Sequence, residues 1–167
     1  SMGARVAARM SFLHPTRVEK LIMVDMGPQS NVTSMVSIEE KIKMVPVPFS
    51  SREEARSFFD GPFLQKYKSE TLKQFFYANL ESKNGEEMTW RFFLPGILET
   101  LWQSRTVSQW EDFESFQMPT LLVRGERSLD FSQELYEDVL TRNPNVQGVV
   151  VPGAGHWVHA EKPRELL

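Results

Sequence analysis

The histidine with the most promising surroundings, His156, follows a pattern that predicts a buried strand and then a loop. The run Val149–Val151 is β-branched, Pro152 ends it, and Gly153 and Gly155 precede the histidine. An imidazole takes up and returns protons near neutral pH, and a loop at a strand end can present it to a substrate. His156 is therefore the candidate general base. From this stretch alone, a surface-loop histidine is the alternative.

The other two histidines have weaker claims to chemistry. His14 precedes Pro15 at the end of a predicted helix, where a cation suits the helix dipole. His159 lies three residues after His156 and could pair with it on a metal, but the loop offers no third ligand at a suitable spacing. The chain also has no cysteine. We therefore predict no metal site, and a supporting or surface position for His159.

The elements that must position these residues begin with a helix and a strand. Residues 1–14 place Val6, Met10 and Leu13 on one helical face, and Pro15 ends the helix. Residues 18–25 then form a short apolar run that ends in Asp25, which indicates a buried parallel strand. A helix that feeds a strand in this way is half of a doubly wound α/β unit.

Residues 29–116 interrupt this α/β pattern with a helical insertion. An Asn84-Gly85 turn followed by residues 88–92 predicts a small hairpin. Helices are predicted near residues 37–43, 52–59, 62–79 and 95–103. After the insertion, strands are predicted at 118–125 and 147–151, separated by a helix at 133–141, and a last helix begins at Pro163. Three strands leave a sheet edge uncovered, and we expect a missing N-terminal half of the fold or an oligomer partner to cover it.

Composition and charge exclude some classes of partner. The net charge of -3 offers no basic face, so nucleic acid is not predicted as a partner. No apolar run approaches the roughly 20 residues of a membrane span, and no signal-peptide pattern opens the sequence. The localisation stays open, with cytoplasm or mitochondrion favoured over secretion.

Two motifs give the chain a resemblance to a known family. Ser1-Met2-Gly3 matches the last three residues of a G-x-S-x-G nucleophile elbow, and Gly153–Pro163 matches a histidine-loop segment. Over nearly its whole length the chain resembles the C-terminal half of an α/β-hydrolase, closest to a small esterase and thioesterase subgroup with a helical lid. The resemblance implies a partial α/β-hydrolase fold with parallel strands, flanking helices and a lid insertion. Its core is expected at residues 1–28 and 117–167, and its lid at 29–116.

The resemblance also implies a Ser-Asp-His triad. Ser1 is the expected nucleophile, His156 the base, and the Met2 amide one donor of the oxyanion hole. Most relatives carry the acid in a G-x-x-D pattern after the strand that ends at Gly125, but here Ser128 stands at that position and Asp130 follows two places later.

In the matched subgroup the acid instead ends the preceding strand, which makes Asp25 the expected acid and Asp130 the alternative. One Asp25 oxygen should lie about 2.6–3.2 Å from a ring nitrogen of His156, and Asp130 should point elsewhere. A structural strand-end role for Asp25 is the remaining alternative.

The implied function is hydrolysis of a small apolar carboxylic ester or thioester through an acyl-enzyme, without a cofactor. The resemblance assigns no substrate-binding residue. Because the family's upstream strands are not in the sequence, the chain is expected to be inactive as this fragment. The alternative is a truncated, non-catalytic fragment or isoform that needs a partner or the upstream half of the fold.

Overall fold

A computed structural model describes residues 2–29, 32–85 and 87–166 of the chain. The chain divides into two compact units. We call residues 1–35 with 103–167 the α/β unit and residues 36–102 the helical unit. The expected boundaries of core and lid, which differ from these ranges, stay a prediction.

The chain passes from the α/β unit into the helical unit once and then returns. The strands are β1 (Leu21–Val24), β2 (Leu80–Lys83), β3 (Glu87–Trp90), β4 (Thr120–Gly125) and β5 (Val146–Val151). The helices are α1 (Met2–Leu13), α2 (Val32–Met44), α3 (Arg52–Phe58), α4 (Leu64–Tyr67), α5 (Glu70–Ala78), α6 (Leu94–Thr106), α7 (Trp110–Glu114), α8 (Gln133–Arg142), α9 (Val158–Glu161) and α10 (Pro163–Leu166). A 3₁₀ turn spans Pro15–Arg17, and a π-helical turn spans Phe59–Phe63.

The sheet of the α/β unit has the order β1-β4-β5, and both strand pairs are parallel. In its register Leu21 pairs with Thr120, which pairs with Val146 on the other side. Burial of the central strand β4 explains its apolar sequence, since parallel strands are covered on both faces. The prediction of parallel strands with flanking helices is confirmed.

The core of the α/β unit forms where helices cover this sheet. Its buried members include Met23 of β1, Leu122 of β4 and Val139 of α8. Helix α1 is tied to α7 by an Arg9–Asp112 ion pair of 3.2 Å. The Gln109 amide reinforces this contact, because it donates to the buried Asp112 carboxylate at 2.9 Å. The carboxylate thereby receives both charge and hydrogen-bond compensation, as a buried ion requires.

The helical unit has its own aromatic core. Its buried rings are Phe49, Phe59, Phe63, Phe76 and Trp90, in contact with one another at centroid distances of 5.0–6.3 Å. The expected hairpin is present: β2 and β3 are antiparallel. Asn84 and Gly85 have positive φ angles of 54° and 87° in its turn, which is why these two residue types occur there.

The single helix predicted for residues 62–79 is wrong, because two residues break it between α4 and α5. Its predicted start, Pro62, lies in the π-helical turn. Lys68 adopts a left-handed conformation with φ 48° and ends α4. Ser69 then begins α5, its hydroxyl accepting the Leu72 N–H at 3.2 Å.

Candidate active site

Asp25 follows the last residue of β1, at the carboxyl edge of the parallel sheet. Its N–H donates to Val123 O at 2.7 Å, so it continues the ladder to β4. Its φ of 52° is unusual for a residue other than glycine and turns the chain out of the sheet at this point. The carboxylate is fully buried, and the Gly125 N–H donates to its Oδ1 atom at 2.7 Å. Buried negative charge is thus held by a backbone donor of the neighbouring strand.

His156 lies in the loop between β5 and α9, and its Nδ1 atom is 2.8 Å from Asp25 Oδ2. An ionised carboxylate only accepts hydrogen bonds, so the tautomer that fits this contact with ionised Asp25 carries its proton on Nδ1. Nε2 of a neutral imidazole then has a free lone pair and can act as a base. The histidine side chain is 16% exposed, so the site reaches solvent on the imidazole side.

Close packing of two glycines brings the histidine loop to this carboxylate. A Cβ atom on Gly125 would lie 2.1 Å from Gly155 O, a distance that no side chain tolerates. The Arg127 N–H also donates to Ala154 O at 2.8 Å. The glycine at the end of β4 is therefore what lets the loop approach β4 closely enough for His156 to reach Asp25.

Ser128 completes the contacts of the buried carboxylate. Its hydroxyl donates to Asp25 Oδ2 and accepts the N–H groups of Asp130 at 3.2 Å and Phe131 at 3.3 Å. Asp25 thus accepts from a backbone N–H, a hydroxyl and an imidazole. The sequence marked Ser128 only as the residue at the usual acid position. Its role as a donor to the acid was missed, although that position was the available signal.

Asp130 also approaches the imidazole. Its Oδ2 atom is 3.7 Å from His156 Nδ1, which is within reach for charge attraction but too long for a hydrogen bond. The expectation that Asp130 points elsewhere is therefore wrong. The chain turns back after β4, with the Ser128 N–H on Gly125 O at 3.0 Å, and this turn carries the next carboxylate toward the histidine loop. Of the two carboxylates, Asp25 has the hydrogen-bonding distance.

Comparison with known proteins shows which family the chain belongs to. A family model described as the alpha/beta hydrolase family matches residues 1–167. The chain belongs to the alpha/beta hydrolase family.

Relatives in the alpha/beta hydrolase family show how much of the fold the chain represents. It is 29% identical over 171 residues to the sn-1-specific diacylglycerol lipase ABHD11 of Danio rerio, covering 100% of this chain and 53% of the relative. It is 30% identical over 169 residues to esterase YbfF of Escherichia coli strain K12, covering 100% of this chain and 62% of the relative. The chain thus spans between about half and two thirds of the length of these curated relatives.

A solved structure gives the same fold. The crystal structure of E-2-(acetamidomethylene)succinate hydrolase superposes with a TM-score of 0.81 at 18% identity. The match covers 99% of this chain and 61% of that one. At this identity the likeness shows the fold alone, and it confirms the alpha/beta hydrolase fold expected from the sequence.

The remaining predicted residues are less informative for this alpha/beta hydrolase. Ser1 lies outside the described residues. Met2 is the first residue of α1, and its side chain is 59% exposed. His14 ends the first helical segment as expected, its N–H bonded to Met10 O at 2.8 Å. His159 is exposed on α9, with its ring 5.9 Å from that of Trp157.

Within residues 2–29, 32–85 and 87–166, no cluster of three or more histidine or acidic side chains could hold a metal ion. In the same ranges, no helix has the length and apolar character to cross a membrane. Among the described residues, the side chains placed to do acid–base chemistry are the Asp25–His156 pair, with Ser128 and Asp130 around it.

Proposed function

We propose that the chain supplies a Ser1-Asp25-His156 triad to a serine hydrolase of carboxylic esters or thioesters. The observation that carries this proposal is the 2.8 Å contact between His156 Nδ1 and the buried Asp25 carboxylate. Such a contact fixes one tautomer and stabilises the imidazolium that forms when the histidine takes a proton. A histidine with only a structural role has no need of a buried, ionised partner that leaves its second nitrogen available.

In this mechanism, His156 Nε2 removes the hydroxyl proton of Ser1 while the serine oxygen attacks the carbonyl carbon of the substrate. The tetrahedral intermediate then collapses, the bond to the alcohol or thiol breaks, and His156 returns the proton to that leaving group. A water molecule repeats the two steps on the acyl-enzyme, releasing the acid and restoring Ser1. Asp25 stays ionised throughout and holds the imidazole in place.

The Met2 amide is the proposed backbone donor to the oxyanion. In a nucleophile elbow, the N–H after the serine faces the oxygen that becomes negative in the tetrahedral intermediate. Because Met2 opens α1, its amide is also one of the N–H groups that a helix leaves without an internal acceptor. The start of a helix carries a partial positive charge, which stabilises a negative oxygen nearby and so supports the proposed role of the Met2 amide.

The proposed substrate is a small apolar ester or thioester. Relatives named as a diacylglycerol lipase and an esterase support an ester. The thioester alternative comes from the resemblance to the esterase and thioesterase subgroup. Hydrolysis rates for p-nitrophenyl esters and acyl thioesters of matched chain length separate the two leaving groups.

A fluorophosphonate probe tests the proposal, applied to the protein as its source organism makes it. Peptide mapping is expected to find the adduct on Ser1. His156→Ala should reduce the labelling rate and ester turnover by several orders of magnitude, as loss of a triad base does. His159→Ala is the matched control and should leave both nearly unchanged. An adduct on another residue, or equal damage from the two histidine variants, contradicts the proposal.

A second candidate is a chain that is non-catalytic alone and needs a partner polypeptide that adds a strand beside β1. It is favoured by apolar exposure: β1 is an edge strand of the described sheet, and Ile22 is 65% exposed. Helix α1 also exposes Met2, Val6, Met10 and Leu13. The protein as its source organism makes it decides between the candidates. An adduct on Ser1 with ester turnover favours the first, and a folded chain that shows neither and purifies with a second polypeptide favours the second.

A further inference from the structure

The Glu161 carboxylate accepts hydrogen bonds from the backbone on both sides of the candidate base. Its Oε2 atom accepts the Gly155 N–H at 2.8 Å, and its Oε1 atom accepts the Trp157 N–H at 3.3 Å. One carboxylate thus bridges the two amides that flank His156 in the sequence. Hydrogen bonds to an ionised acceptor are stronger than those between neutral groups.

The rest of the histidine loop is held by other groups. The Gly153 N–H donates to Glu126 Oε2 at 2.7 Å, and the Ala154 N–H donates to Val151 O at 3.3 Å. These bonds fix the loop where it leaves β5. They do not include the N–H groups of Gly155 and Trp157, the residues on either side of His156, which donate to Glu161 instead.

Glu161 is itself well anchored for this task. It ends α9, and its N–H donates to Trp157 O at 2.8 Å. In the same helix Val158 is fully buried and packs with Val123 and Val151 of the sheet. The carboxylate therefore projects from a helix that the core holds in place, which is what an accurate positioning group needs.

A helix cap alone does not account for the contact. Capping α9 requires an acceptor for the Trp157 N–H, at the start of that helix. Gly155 precedes the helix by several positions, so its N–H is not one of the groups that the helix leaves unpaired. The second carboxylate oxygen therefore serves the loop that presents the imidazole.

We propose that Glu161 is a positioning residue for His156, and this inference rests on the proposed function. By holding the amides on both sides of His156, the carboxylate fixes the backbone from which the imidazole reaches Asp25. Loss of the carboxylate should let the ring drift from its 2.8 Å contact. Misplacement of a catalytic group by about 1 Å can lower turnover by about a hundredfold.

The test compares Glu161→Ala and Glu161→Gln with Glu165→Gln, a matched control on the neighbouring helix α10. Glutamine keeps the length of the side chain but offers one acceptor oxygen, so it can hold only one of the two amides. In Glu161→Ala, we expect faster hydrogen exchange at the Gly155 and Trp157 amides and loss of the single Nδ1–H tautomer of His156 in nitrogen NMR spectra. Glu161→Gln should be intermediate, and the control should match the parent.

Turnover provides the second measurement. In the active protein, kcat should fall about ten- to a hundredfold in Glu161→Ala with KM nearly unchanged, because the base moves while substrate binding does not. The NMR and exchange measurements need no activity, so they decide on Glu161 even if the hydrolase proposal fails. Unchanged exchange at both amides in Glu161→Ala, or an imidazole that keeps its Nδ1–H tautomer in that variant, overturns the inference. So does an unchanged kcat.

Discussion

At the scale of single residues, the site places two carboxylates around one imidazole nitrogen at different distances. Asp25 Oδ2 lies 2.8 Å from His156 Nδ1, and Asp130 Oδ2 lies 3.7 Å from the same atom. Only the shorter distance supports a hydrogen bond that selects a tautomer. The Asp130 carboxylate attracts a protonated imidazole only weakly, because its side chain is 21% exposed and solvent weakens the interaction.

This difference predicts unequal effects of two matched substitutions. Asp25→Asn should lower kcat by about 10⁴-fold, because an amide in that position holds the wrong tautomer. Asp130→Asn should lower it by less than about fivefold, the scale of a partly exposed charge pair. Steady-state hydrolysis of a p-nitrophenyl ester measures both. A larger loss from Asp130→Asn would transfer the role of the acid to Asp130.

Ser128 provides a second prediction at this scale. Ser128→Ala removes a donor to the Asp25 carboxylate, so kcat should fall about tenfold, the value of one hydrogen bond to a charged group. It also leaves two N–H groups without their acceptor, at a cost of about 1–3 kcal/mol in the free energy of unfolding.

Ser132→Ala is the control for Ser128→Ala. The Ser132 hydroxyl caps α8 by accepting the Leu135 N–H at 3.2 Å, and its loss should cost about 1 kcal/mol of stability. Its kcat should stay at the parent value. If the two variants lose activity equally, Ser128 acts through stability alone.

The residues of the site were predictable to different degrees. His156 and Asp25 stand at the ends of apolar runs, and strand ends of parallel sheets converge at one edge, so their proximity could be expected. The hydrogen bond from Ser128 was missed: a hydroxyl donor leaves no periodic pattern, and its place at the usual acid position was the one available signal. The position of Asp130 depends on the turn after β4, whose direction the sequence does not reveal.

At the scale of elements, the site depends on how closely the histidine loop approaches β4. Gly125→Ala should push the loop away, since the added Cβ would lie 2.1 Å from Gly155 O. We expect a loss of about 3 kcal/mol in the free energy of unfolding, as for other overpacked sites, together with loss of activity. Chemical denaturation and ester hydrolysis measure the two effects.

Gly61→Ala is the matched control for this substitution. A Cβ on Gly61 would meet nothing within 4 Å, so stability should change by less than about 1 kcal/mol and activity not at all. Normal stability of Gly125→Ala would show that the loop can yield at this contact.

The elements themselves were predicted unevenly. Apolar runs located β1, β4 and β5, and the Asn84-Gly85 pair located the hairpin. The break between α4 and α5 was missed, because Lys68 has no sequence signal for its left-handed conformation. Ser69 could have indicated the new helix start, since serine is a preferred N-cap.

At the scale of the whole molecule, the alpha/beta hydrolase fold is established by the parallel sheet, the family match to residues 1–167 and the structural likeness. The chain covers 53% of one curated relative and 62% of another. The activity and the substrate therefore stay proposals. The exposed edge of β1 is the place where a strand of a partner could pair with the sheet. The contact between Asp25 and His156 nevertheless lies entirely within this chain.

The most direct test of that claim is the tautomer of His156, measured by nitrogen NMR in the 167-residue chain near neutral pH. We expect an Nδ1–H tautomer in the parent, because Nδ1 lies at hydrogen-bonding distance from the Asp25 carboxylate, which accepts. The same tautomer should persist in Asp130→Asn and change to Nε2–H in Asp25→Asn. An Nε2–H tautomer in the parent, or an Nδ1–H tautomer that survives Asp25→Asn but not Asp130→Asn, would contradict the assignment of Asp25 as the acid.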